Sequence, residues 1–320
     1  MLLALVAGSR GELSSQSVKV SGRVLRGGPA ARPFAGTWVV LHRITMDGAG
    51  RPVDSTRSDG AGRFTLALAR PERDAVYVAS TWYAGIAYFS EPLSGAVRGA
   101  ATLSPLYVYD TTSTGPVRLA RRVVTIARQR RDGARAVLEL LDLENPAWRT
   151  RIAADTLRPT WAGALPAAAL QLQVGQGDLS PDAVTRRGDS VVVFAPIPPA
   201  TPKQLSYAYV LPADLRSLSL PIDQPTGELD LLVEDTAAVV RAASLDSLGI
   251  EALQGRRFAR YRMRDVGGGA RLAIALPTAR AWPQALVPVI VAVAALVLAI
   301  AFVVALRRHP APLAPPGSAR

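Results

Sequence analysis

Cysteine is absent from this 320-residue chain, and histidine and lysine are nearly so: His42 and His309, Lys19 and Lys203. Without thiols there are no disulfide staples, iron–sulfur clusters or cysteine nucleophiles. Two histidines far apart supply no His-x-x-Glu pair to hold a catalytic zinc ion. Gly-x-Ser-x-Gly elbows, Walker loops and Rossmann glycine patterns are also missing. Gly267-Gly268-Gly269 stands between β-like segments with no helix after it, so it reads as a turn rather than a phosphate cradle. A Ser–His–Asp triad would have to use His42, which lies within a strand pattern. These absences lead to the expectation of a protein that is not an enzyme and takes no cofactor and no metal.

Basic residues outnumber acidic ones, 37 to 25, for a net charge of +12 carried almost wholly by arginine. Such a balance favours anionic partners. The joint abundance of Ala, Arg, Gly, Pro and Val points to GC-rich coding, which writes Arg for Lys and weakens the charge as a functional clue. Nucleic acid is not an expected partner, because no aromatic residues interleave the clustered arginines.

The longest apolar run, Ala285–Leu306, has no charged or polar side chain and is closed by Arg307 and Arg308. At about 1.5 Å per residue it is long enough, as a helix, to cross a hydrocarbon core of roughly 30 Å. Pro288 falls in the first turn, where a missing N–H costs little, and Trp282 sits at interfacial depth. Residues 281–308 are therefore expected to be a transmembrane helix with its flanks, and 309–320 a Pro-rich disordered tail. The arginines after the run predict a cytoplasmic tail and extracytoplasmic, periplasmic N-terminal domains. Leu2–Ala7 is apolar and Val6-Ala7-Gly8 loosely follows a small-x-small cleavage pattern, so residues 1–16 read as a truncated signal peptide or a disordered N-terminus.

Between these ends the pattern is β. Val18, Val20, Gly22 and Val24 alternate with Lys19, Ser21, Arg23 and Leu25, and Trp38, Val40, His42 and Ile44 share one face of a second strand. In Thr56-Arg57-Ser58-Asp59-Gly60-Ala61-Gly62-Arg63-Phe64, Asp59 is placed to accept turn N–H groups and Gly60 or Gly62 to take positive φ. The strands Val18–Val24 and Trp38–Ile44, the turn Thr56-x-x-Asp59-x-x-Gly62-x-Phe64 and Tyr83-x-Gly85-x-x-Tyr88 together resemble the carboxypeptidase regulatory-like, transthyretin-like β-sandwich. The resemblance covers about the first third of the chain and implies such a domain over 17–110, a module that accompanies a zinc hydrolase without carrying its chemistry. His42 reads as a hydrogen-bonded structural residue. Trp82, Tyr83, Tyr88 and Phe89 offer either a stacking platform for sugar or peptide or ordinary core and corner packing, with alternation sending one set inward.

A Thr/Ser/Gly/Pro stretch, Thr111–Pro116, reads as a linker to a second β-sandwich-like domain over 117–280. It opens with two strands around Asp132-Gly133, a hairpin rich in arginine: Arg118, Arg121, Arg122, Arg128, Arg130, Arg131 and Arg135. These could form a basic ridge toward anionic glycan or lipid, or a solvated hairpin. Glu139 shares parity with Val137, Leu141 and Leu143, and an inward carboxylate needs a partner such as Arg122 or Arg149. The run Glu139…Asn145-Pro146…Arg149-Thr150 resembles the second domain of membrane-anchored bacterial proteins that begin with the regulatory-like module, which implies architecture rather than chemistry. Ala237–Leu248 fits both strand and short-helix periods. The expectation is an all-β chain of two tandem β-sandwich domains followed by one C-terminal transmembrane helix, acting as a non-catalytic interaction module with a protein partner in the cell envelope.

Overall fold

The computed structural model describes residues 17–45 and 50–277. They are nearly all β: twenty-five strands and a single short 3-10 turn at Pro181–Ala183, with no α-helix among the described residues. No described helix is long and apolar enough to cross a membrane. The Ala285–Leu306 run and the N-terminal residues 1–16 lie outside the described residues.

The described strands belong to one compact unit ending at Leu276, and they enclose two separate hydrophobic cores. The first gathers residues from Val18 to Tyr109 between two sheets. In one sheet, Val18–Arg26 is central, antiparallel to Arg63–Leu68 on one side and parallel to Ala100–Thr102 and Leu106–Val108 on the other. In the other, the order is Gly50–Arg57, Trp38–Ile44, Val76–Tyr83, Ile86–Phe89. Alternation sets the inner faces: Val18, Val20 and Val24 with Phe64, Leu66 and Leu68 from the first sheet, and Val39, Leu41, Tyr77 and Ala79 from the second. Gly22 is required on the inner face, since a Cβ there would sit 2.5 Å from the Phe64 ring.

The second core, Leu119 to Leu276, lies beneath a seven-stranded sheet. Its order is Leu170–Val174, Lys203–Leu211, Arg135–Glu144, Arg118–Ile126, Thr226–Val233, Arg256–Val266, Asp246–Leu253. All neighbours are antiparallel except Arg118–Ile126 with Thr226–Val233. Two three-stranded sheets, Trp161–Ala164/Ser190–Val193/Val184–Arg187 and Ser217–Ile222/Ala270–Ala275/Val239–Arg241, contribute the facing apolar residues. The ambiguous Ala237–Leu248 segment resolves into strand Val239–Arg241 and the start of Asp246–Leu253, separated by a left-handed Ser244. β-pairing outweighs its helical period.

The Thr111–Pro116 stretch is not a free linker throughout. Thr111 and Thr112 pair in parallel with Thr150 and Arg151, and Tyr88 Oη contacts both the Thr150 hydroxyl (2.8 Å) and the Tyr109 carbonyl (3.0 Å). Asn145 fastens the same corner by donating to the carbonyls of Arg149 and Ile197. The connection between the two cores is thereby hydrogen-bonded on both sides.

Candidate interaction surfaces

The aromatic residues split by strand parity. Tyr77, Ala79 and Thr81 point into the first core, while Val76, Val78, Ser80 and Trp82 point out. The hairpin turn at Ala84-Gly85, with both residues at positive φ, then returns the chain so that Trp82 pairs with Ala87 and Ser80 with Phe89. On the neighbouring strand, Val40 pairs with Ser80, His42 with Val78 and Ile44 with Val76. The outer face of this sheet is therefore Trp38, Val40, His42 and Ile44 beside Val76, Val78, Ser80 and Trp82, with Phe89 and Arg57 at its margins. Trp38, Trp82 and Phe89 are 53%, 66% and 64% exposed.

Polar groups on this face are few and mostly spoken for. His42 Nε2 lies 2.7 Å from the Ser80 hydroxyl, the structural hydrogen bond expected for a strand histidine. The Arg57 guanidinium stacks 4.8 Å from the Trp38 ring. The residues of the face include no carboxylate. Such an apolar, aromatic sheet face is more than the scattered exposure normal at a protein surface.

The other two aromatic candidates are not part of it. Tyr88 is buried at the corner described above. Tyr83 faces the opposite way, donating to Asp110 (2.6 Å), stacking edge-on with Phe34 and lying under Arg26, which also binds Asp110 at 2.6 Å. The hydrogen bonds from Tyr83 and Arg26 hold the Asp110 carboxyl below the usual range, and that carboxylate in turn raises the Tyr83 phenol. This cluster is a corner fastening, not a platform.

The seven arginines of the hairpin do not form one basic ridge. Arg122 points into the second core and Arg135 is buried beside Asp235. Arg121 lies on the outer face of the seven-stranded sheet, 3.2 Å from Asp230, which also meets Arg262 at 2.9 Å and Arg260 at 3.5 Å. Burial alone would raise the Asp230 carboxyl, but hydrogen bonds from Arg262 and Arg121 and the charge of Arg260 hold it below its ordinary value. Arg121 stays about half exposed beside its carboxylate partners. Arg128, Arg130 and Arg131 at the tip and Arg118 at the far end are also exposed, and Arg130 is paired with Asp132 at 3.4 Å.

Inside the second core, Glu139 accepts from Arg122 Nε (2.8 Å), Tyr207 Oη (3.0 Å) and Tyr209 Oη (2.9 Å). Arg122 also donates to the Pro221 carbonyl at 2.8 Å. Both members of the ion pair are fully enclosed, and Arg122 is the partner chosen over Arg149. Burial works against charge on Arg122, but the Glu139 carboxylate beside it more than compensates and raises its pKa. Burial, then the Glu139 charge, pushes both phenols well above the usual tyrosine value. With every Glu139 contact satisfied from the protein interior, the group is built as a structural knot. An absorbance titration of tyrosinate is therefore expected to show Tyr207 and Tyr209 ionising only as the protein unfolds. Because their folded pKa is raised, the stability they contribute is full below about pH 10 and falls as pH rises beyond it.

A shallow cleft of about 290 Å³ opens at the end of the first sandwich between Arg43, Arg51, Arg70 and Glu72. Arg43 is already paired with Glu72. Among the described residues, no three His, Asp or Glu side chains are grouped to hold a metal ion.

No family model matches the chain, and no curated protein matches it. Solved structures that align with parts of it include an M1 zinc metallopeptidase from Deinococcus radiodurans, at 11% identity and TM-score 0.32, covering 50% of this chain and 42% of the peptidase. Another is a 9R-lipoxygenase from Cyanothece, at 15% identity and TM-score 0.22, covering 33% of this chain and 19% of the enzyme. The chain thus spans less than half of either protein, and similarity at this level carries no functional argument.

Proposed function

We propose that this protein is a non-catalytic, membrane-tethered interaction module, held by the Ala285–Leu306 run with its β-domains outside the cytoplasm. On this reading, its first third is a carboxypeptidase regulatory-like sandwich. The docking surface is the outer face bearing Trp38, Trp82 and Phe89, and its occupant is a protein of the cell envelope. The observation that carries the reading is the exposure of these three rings on one sheet face lined with Val40, Ile44, Val76 and Val78. Buried aromatic anchors are the side chains that most often dominate a protein interface, at about 2 kcal/mol or more each. The absence of a carboxylate favours a partner whose rim is acidic, meeting Arg57.

Affinity purification of the full-length protein from detergent-solubilised membranes tests this. Trp82→Ser with Phe89→Ser is expected to lose a defined partner at least thirtyfold while the melting temperature holds, since neither ring is in the core. Arg128→Ser, Arg130→Ser and Arg131→Ser together are expected to keep it. The reverse pattern, with binding of lipid or anionic glycan that falls steeply with salt, would replace this reading by recognition through the basic hairpin tip.

A further inference from the structure

We infer that the cleft at the end of the first sandwich binds a phosphomonoester, its phosphoryl group held among the guanidinium groups of Arg43, Arg51 and Arg70. The cleft is a product of strand register. Trp38–Ile44 and Gly50–Arg57 fall out of step between Leu41 and His42, where Val53 is the extra residue. In unbroken pairing Arg43 would oppose Pro52; the bulge sets it opposite Arg51 instead. Arg43 also opposes Tyr77, which is buried in the first core. Arg51, Arg43 and Tyr77 therefore stand in one row on the core-facing side of the sheet, where Val39 and Leu41 lie further in.

Like charges directly opposite on neighbouring strands disfavour the pairing. Only one of these two is compensated, because Glu72 pairs with Arg43. Glu72 is itself fixed in place: its N–H donates to Tyr77 Oη at 3.1 Å, and its carbonyl accepts from Ala75 N–H at 3.0 Å. Among the described residues, neither Arg51 nor Arg70 has a carboxylate partner. Asp54, close by on the same strand as Arg51, has its two oxygens engaged by the N–H groups of Ser55 (2.8 Å) and Ala67 (2.6 Å). The cleft thus joins one anchored guanidinium to two that lack a counter-charge.

That arrangement selects its ligand by charge and shape. A carboxylate carries one charge and would leave one guanidinium unmatched. A phosphomonoester carries nearly two at neutral pH and presents three acceptor oxygens to planar guanidinium forks. The walls between the arginines are uncharged, formed by Pro52, Val53, Ala67, Leu68 and Ala69, so the organic part of the ester meets apolar surface. At about 290 Å³ the cleft suits a small ester or a single headgroup rather than a polymer strand. Soluble phosphomonoesters and phosphomonoester lipids share this chemistry.

The test is calorimetric titration of the full-length, detergent-purified protein at about pH 8, where the phosphoryl group is fully charged. Phenyl phosphate is expected to saturate one site, and benzoate, the monoanion on the same ring, to bind roughly tenfold more weakly or worse. Arg51→Ser/Arg70→Ser should weaken phenyl phosphate roughly tenfold or more without lowering the melting temperature, since both side chains are exposed. Arg128→Ser/Arg131→Ser, at the hairpin tip, should leave it unchanged. Dihexanoyl phosphatidic acid identifies the source: tighter binding than phenyl phosphate assigns the site to a lipid headgroup, and equal or weaker binding to a soluble ester, either of which upholds it. No saturable binding of either phosphate overturns the inference. So does benzoate binding as well as phenyl phosphate, or affinity untouched by loss of Arg51 and Arg70. The aromatic docking face is the opposite side of this sheet, so none of these results depends on it.

Discussion

Glu139→Gln is expected to destabilise the protein by about 3–5 kcal/mol, and Arg122→Met by a similar amount. Each leaves a charge, or its former partners, enclosed without compensation. Glu139→Gln strands the Arg122 guanidinium without its counter-charge. It also replaces one of the two oxygens, Oε2 serving Arg122 and Tyr207 and Oε1 serving Tyr209, by an NH2 that cannot accept. Loss of Arg122 leaves the carboxylate with two neutral donors in a site closed to water. The double variant Arg122→Met/Glu139→Leu should cost far less than the sum, because it removes both desolvation penalties together, and adding Tyr207→Phe and Tyr209→Phe should recover more. Urea unfolding followed by tryptophan fluorescence measures all of these. Additive single effects would show that the four groups do not act as a unit.

The inward direction of Glu139 was legible from its parity with Val137, Leu141 and Leu143. Its company was only partly so. Arg122 sits on the adjacent hairpin strand, diagonal to Glu139 in a register where Val124 is directly opposite. The tyrosines come from Lys203–Leu211, where Tyr207 pairs with Glu139 across a separation of 68 residues that no local pattern encodes. The arginine ridge dissolved for a related reason. Simple alternation from Leu119 would turn Arg121 inward, but the register shift between Leu119 and Arg121 reverses the phase and buries Arg122 instead. Alternation did separate Trp82 from Tyr77 and Tyr83. It could not tell which of the two faces would be covered, because that depends on the sheet packed opposite.

The Asp59 turn was the most legible local structure, and it carries the second large effect. Asp59 accepts the N–H groups of Ala61 (2.9 Å) and Arg63 (2.7 Å) through one carboxylate oxygen, as a short acidic side chain in a turn should. The sequence left open whether Gly60 or Gly62 takes positive φ. Gly62 does, at +73°, and a Cβ there would lie 2.3 Å from the Val24 carbonyl oxygen. That oxygen already accepts from Phe34, and Val24 N–H donates to the Gly62 carbonyl at 2.7 Å, so neither backbone segment can move without loss. Gly62→Ala is thus expected to combine left-handed strain of about 1–2 kcal/mol with a backbone clash of about 1–3 kcal/mol. Gly60→Ala meets open space at ordinary φ, so it should be neutral or stabilise by up to about 1 kcal/mol through the unfolded chain. Thermal unfolding of the two variants decides the matter, because they differ from each other by the position of one methyl group in the same turn. Equal losses would mean that the Val24 contact does not constrain the turn; a large loss at Gly62 alone would show that this turn fixes the first sandwich by pressing on its central strand.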